Sequence, residues 1–118
     1  MFSHIMVGTN DVARAKAFYD NVLGALGVGP GTVDDNRRLF YMTPTGVFAV
    51  SKPIDGAAAT SANGGTIGFA CSSSQQADAW HAAGVANGGT SSEIRPRTGF
   101  VNRRLTSVTQ WGIGIVRR

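Results

Sequence analysis

Residues 1–27, MFSHIMVGTNDVARAKAFYDNVLGALG, carry the decisive reading of the fold. Within them SHIMVG, residues 3–8, is a short apolar run that reads as a buried strand. Thr9, Asn10 and Asp11 follow, all side chains that accept hydrogen bonds from the first free N–H groups of a helix. Val12, Ala15, Phe18, Tyr19, Val22, Leu23 and Leu26 then recur at helical spacing, which makes one helix face apolar. Gly24 and Gly27 suit its C-terminal end, because glycine takes the left-handed conformation that closes a helix. His4 stands inside the strand, as a metal ligand or as a polar residue on a sheet wall.

Downstream, GVGPGTVDDN (27–36) is a loop by composition. RRLFYMTPTGVFAVSKP (37–53) reads as two strands, about 38–43 and 47–51, joined by the turn TPTG and ended by Pro53. A small-residue loop, IDGAAATSANGG, leads to a second start at 65–71, GTIGFAC. SSSQQ supplies helix caps, and Ala77, Trp80, His81, Gly84 and Val85 share a helical face. Trp80 is expected in the core, and His81 exposed or capping. After the glycine-rich ANGGTSSEIRPRTG come two extended segments, about 100–106 and 110–116. The order strand–helix–strand–strand therefore occurs twice, about 60 residues apart, and two such half-sheets should pack together.

The 118 residues suffice for one domain with a modest core. No apolar run is long enough to span a membrane, the N-terminus lacks the pattern of a signal peptide, and the lone Cys71 forms no internal disulfide. A reduced, cytoplasmic setting is expected. The net charge of +4 is uneven along the chain. Residues 1–94 hold five Lys/Arg and seven acids, whereas residues 95–118 hold six arginines and no acid. Trp111 is the only aromatic past Phe100, so a base-stacking surface is not expected, and the arginines read as a solvated edge rather than a nucleic-acid arm.

These features resemble the vicinal oxygen chelate superfamily, which includes glyoxalase I, bleomycin-resistance proteins and extradiol dioxygenases. The likeness covers residues 1–100 and rests on SHIMVGTNDVARAKAFYDNVLGALG, on PIDGAAATSANGGTIGFACSSSQQADAWHAAGVANGG and on RPRTGF. It implies an α+β fold of two βαβββ modules, about 1–56 and 64–118, whose curved mixed sheets enclose a ligand cleft within a single domain, 1–118. It also implies a homodimer. The family's metal site carries over one position at a time. His4 matches the histidine of the first strand, Ala49 stands where a Glu is expected, and Thr66 stands where a His or Gln is expected. The final Glu, which follows an Asp-Pro-x-Gly-Asn turn, has no counterpart. Alanine cannot ligate, and a threonine hydroxyl is a poor ligand for a divalent transition metal, so a complete metal site is not expected.

The missing turn has a possible source in the codons. Val108-Thr-Gln-Trp-Gly-Ile113, read two bases later, can encode Asp, Pro, Met or Val, Gly, then Asn or His. Residues of about 101–118 are therefore a candidate frame-shifted form of the family's last strands.

Three functions remain open. The first is a small-molecule binding protein of the bleomycin-resistance type, with no cofactor, taking a small hydrophobic or aromatic ligand. Its candidate ligand-binding residues are His4, Arg38, Phe40, Met42, Phe48, Thr66 and Trp111. The second is a metal-dependent lyase, isomerase or dioxygenase that uses His4. The third is a degenerate scaffold for assembly. Arg37 or Arg38 is a candidate for holding an anionic substrate, and Glu93 is a weak candidate for a general base in a loop. Cys71 has no neighbouring charge to activate it, and the glycine-rich loops do not match phosphate-binding patterns.

Overall fold

The structure is a computed structural model that describes residues 1–60, 67–89, 105–108 and 113–117. The chain divides into two compact units, Met1–Thr60 and Ser61–Arg118.

The first unit runs β1 (His4–Gly8), α1 (Val12–Gly24), β2 (Thr32–Asp34), β3 (Arg38–Thr43) and β4 (Gly46–Ser51). The sheet order is β1-β4-β3-β2; β1 runs parallel to β4 and the other neighbours are antiparallel. Helix α1 begins where the Asp11 carboxylate accepts the Arg14 N–H at 3.0 Å. It closes at Gly27, in left-handed backbone with φ 84°, as Val28 N–H donates to Leu23 O and Gly27 N–H donates to Gly24 O, both at 3.0 Å. Val12, Ala15, Phe18, Tyr19, Val22 and Leu23 are buried as their spacing predicts, while Leu26 is half-buried at the frayed end.

The helix packs on the sheet face that carries Leu39 and Tyr41 of β3 and Phe48 and Val50 of β4, all buried. Tyr19 is central there, with its ring 5.0 Å from Phe18 and 5.1 Å from Phe48 in edge-on contacts. Asp20 joins helix, loop and sheet. Its Oδ1 accepts from Tyr41 Oη at 2.8 Å and from the Gly31 N–H at 2.9 Å, and its Oδ2 pairs with Lys16.

Two expectations need correction here. The stretch 27–36 is not all loop, because Thr32–Asp34 form β2 on the edge of β3. Asp35 and Asn36 both take left-handed backbone (φ 51° and 50°), and Arg37 N–H bonds Asp34 O at 3.0 Å, which turns the chain tightly back. Asp and Asn tolerate that backbone, so the residues that suggested a loop in fact make a hairpin turn. Strand β1, read as buried, is largely exposed, with Ile5 at 36% and Met6 at 47%. Its only hydrogen-bonded neighbour among the described residues is β4, so it is an edge strand.

The second unit runs β5 (Ile67–Cys71), α2 (Ser74–Ala86), β6 (Leu105–Val108) and β7 (Ile113–Arg117), with sheet order β5-β7-β6. β5 and β7 are parallel and β6 and β7 antiparallel, which repeats the β1–β4–β3 core of the first unit. Ser73 caps α2 by accepting the Gln76 N–H at 3.1 Å, and the Gly89 N–H closes it onto Gly84 O at 2.8 Å. Ala77, Trp80 and Gly84 are buried, His81 is half-buried, and Val85 is 47% exposed, so the apolar face is narrower than the spacing suggested. Cys71 is a buried free thiol. Among the described residues no helix is long and apolar enough to cross a membrane. Glu93, most of the basic tail and residues 109–112 lie outside the described residues.

Candidate functional site

The helix covers one face of the first sheet. Side-chain alternation and strand register set what the other face carries. His4 pairs with Val47, which pairs with Met42. Met6 pairs with Ala49, Ala49 with Phe40, and Phe40 with Thr32. Gly8 pairs with Ser51, Ser51 with Arg38, and Arg38 with Asp34. The open face is thus three rows: imidazole and aliphatic, then apolar and aromatic, then polar and charged.

Met42 is 71% and Met6 47% exposed, and Phe40 and Val47 are half-buried. Two exposed methionines beside an aromatic ring make an adaptable apolar surface. Across the charged row, Asp34 Oδ2 accepts from Arg38 Nη2 at 2.6 Å, and the guanidinium lies 6.0 Å from the Phe40 ring centre. Both side chains of that pair are nearly half exposed, so water screens it and its contribution to stability is small. The pair nonetheless fixes the guanidinium over the ring. At the third row Ala59 crosses over Gly8. A Cβ added at Gly8 would lie 3.1 Å from Ala59 Cβ. The Asn10 side chain pins this loop, accepting the Ala59 N–H at 2.7 Å.

Four of the candidate residues, His4, Arg38, Phe40 and Met42, share this face. Phe48 stands on the opposite one, 6% exposed and packed on Tyr19, where it belongs to the core. Thr66 and Trp111 lie outside the described residues. Met6 and Val47 were not singled out from the sequence. Period-2 spacing from His4 would have found Met6, whereas Val47 needed the register with β1.

His4 Nδ1 is 2.8 Å from Ser3 Oγ, which orients the ring, and its Nε2 has no partner among the described residues. The neighbours of His4 on its face are Val47, Met42, Met6 and Ala49, none of which supplies an oxygen or nitrogen side-chain donor. Among the described residues no three His, Cys, Asp or Glu converge. Among the described residues the face around His4 therefore offers one nitrogen donor and no carboxylate, which does not fit a divalent metal held by these side chains alone.

A model of the Glyoxalase/Bleomycin resistance protein/Dioxygenase superfamily matches residues 1–109, and the chain belongs to that superfamily. The crystal structure of a glyoxalase/bleomycin resistance protein from Albidiferax ferrireducens is 47% identical with a TM-score of 0.90, covering 100% of this chain and 98% of that one. The α+β fold is accordingly that of the glyoxalase/bleomycin-resistance class. A fosfomycin resistance protein from Listeria monocytogenes is 15% identical with a TM-score of 0.72, covering 100% of this chain and 90% of its own. A lactoylglutathione lyase from Agrobacterium tumefaciens is 14% identical with a TM-score of 0.64, covering 99% and 92%. At those identities the likeness is one of fold alone. No curated protein matches the chain.

Proposed function

We propose that this chain is a cytoplasmic small-molecule binding protein of the glyoxalase/bleomycin-resistance type, working without a complete metal site. The open face of its first sheet holds a hydrophobic or aromatic ligand. The observation that carries this reading is the row Met6–Ala49–Phe40 flanked by Met42 and Val47. It offers apolar, deformable contact where a metalloenzyme of the superfamily would need a carboxylate. Arg38, fixed by Asp34 over Phe40, borders that surface and orients a polar end of the ligand.

The protein acts as a homodimer in this reading. The edge strand β1, with Ile5 36% and Met6 47% exposed and Phe2 just before it 70% exposed, supports that state, since an apolar edge favours pairing with another chain.

The test is calorimetric titration with uncharged and cationic aromatic compounds, on the parent and on Met42→Asp. Uptake by the parent and its loss in the variant support the reading. No uptake of any compound leaves the assembly scaffold in its place. The oriented imidazole of His4 favours the metal-dependent alternative. Stoichiometric zinc, nickel, iron or manganese, lost in His4→Ala, would establish that alternative.

A further inference from the structure

A second cavity lies in the first unit, separate from the open face and from the ligand reading above. It measures about 550 Å³ and opens to solvent between the start of α1 and the loop after β4. Arg37 and Lys52 line it beside Thr9 and Asn10, and Pro53, Ile54, Gly56, Ala57 and Ala58 of the following loop also line it. Among the described residues no acid lines it.

Its two cations are held together by the backbone. The Lys52 N–H donates to Arg37 O at 3.0 Å, one step beyond the Arg38–Ser51 pair, so the two residues stand opposite each other at the end of the ladder. Like charges placed opposite one another repel. Neither side chain has an ion-pair partner among the described residues. Of the acids near them in sequence, Asp11 caps the Arg14 N–H, Asp34 pairs with Arg38, and Asp55 Oδ1 accepts the Ala57 N–H. A repelling cationic pair beside the apolar side chains of half-buried Pro53 and of exposed Ile54, Ala57 and Ala58 calls for an anion with an organic body.

We infer that the Arg37–Lys52 cavity is a binding site for a small organic anion, a phosphate or carboxylate ester or acid carrying an apolar group. The cations hold the charged oxygens, and Pro53, Ile54 and the alanines cover the apolar part.

The test uses the full chain. Phenyl phosphate, benzoate and inorganic phosphate are titrated by calorimetry, with sodium chloride at matched ionic strength as the control, and thermal midpoints are recorded in parallel. Phenyl phosphate or benzoate should bind, and inorganic phosphate more weakly. Arg37→Gln and Lys52→Gln should each weaken binding about tenfold or more. Without ligand both variants should melt no lower than the parent, because the repulsion is gone. Arg14→Gln, an exposed cation outside the cavity lining, should bind these anions as the parent does. Shifts no larger than those of chloride would overturn the site, and so would variants that bind like the parent. Equal affinity for inorganic phosphate and phenyl phosphate would overturn the role of the apolar wall.

Discussion

Tyr41 on β3 donates its hydroxyl hydrogen bond to Asp20 Oδ1 on α1 at 2.8 Å, across the contact between helix and sheet. The same carboxylate holds the Gly31 N–H and pairs with Lys16, so a single side chain ties three segments together. Burial raises the Tyr41 pKa, and its bond to the Asp20 carboxylate raises it further. Removing the hydroxyl in Tyr41→Phe leaves Asp20 with one donor fewer. A loss of about 1–2 kcal/mol is expected, read as a lower urea midpoint with an unchanged slope.

Asp20 also sets an acid limit. Partial burial pushes its pKa up, but the Gly31 N–H, Lys16 and Tyr41 outweigh that and hold it below the ordinary 3.8. A depressed folded pKa contributes stability that is present above the unfolded value and lost as pH falls through the folded one. Stability should therefore drop as pH falls below about 4. In Asp20→Asn that part of the acid slope should vanish, as followed by thermal midpoints between neutral and acid pH.

Phe48 and Met42 separate core from site. Phe48→Ala empties space beside Tyr19 and should cost about 3–5 kcal/mol. Met42→Ala removes a side chain that is 71% exposed, so its stability should stay within about 0.5 kcal/mol. Ligand uptake should show the reverse order of sensitivity once the loss of folded Phe48→Ala protein is corrected for.

Gly31 has no room for a side chain. A Cβ there would sit 2.6 Å from Leu39 Cδ1 and 2.7 Å from Tyr41 Cζ, both buried. Gly31→Ala should destabilise by about 1–3 kcal/mol through overpacking, while Gly29→Ala, in open space, should be close to neutral in the same melt.

The C-terminal segment makes a prediction at the level of the gene. Read two bases later, the codons for residues 108–113 should encode Asp-Pro, then Met or Val, then Gly and Asn or His. Sequencing the gene decides it; codons that do not yield that turn remove the frame-shift explanation of the arginine-rich tail.

Much of the first unit was readable locally. Asp11, the apolar spacing from Val12 to Leu23 and Gly27 specify α1 through contacts a few residues apart, and the structure has the same cap, face and closure. The apolar runs in RLFYMT and GVFAVS, joined by the turn TPTG and ended by Pro53, likewise specify β3 and β4. In the second unit Ser73 and Trp80 play the cap and core roles their positions suggest. The short β2 was not readable. Three residues carry too little periodicity, and their extended state depends on pairing with β3.

The chain alone determined the order of the elements other than β2, the buried face of α1 and the presence of a histidine on the first strand, because short-range spacing and capping chemistry set these. Only the tertiary structure decided which face each strand residue joins. Phe48 falls opposite Tyr41, and Met42 opposite Val47, through the register of the turn at Pro44 and Thr45. A slip of one residue would exchange core and site. The parallel pairing of β1 with β4, a contact between segments some forty residues apart, placed His4 among aliphatic neighbours and Met6 beside Ala49.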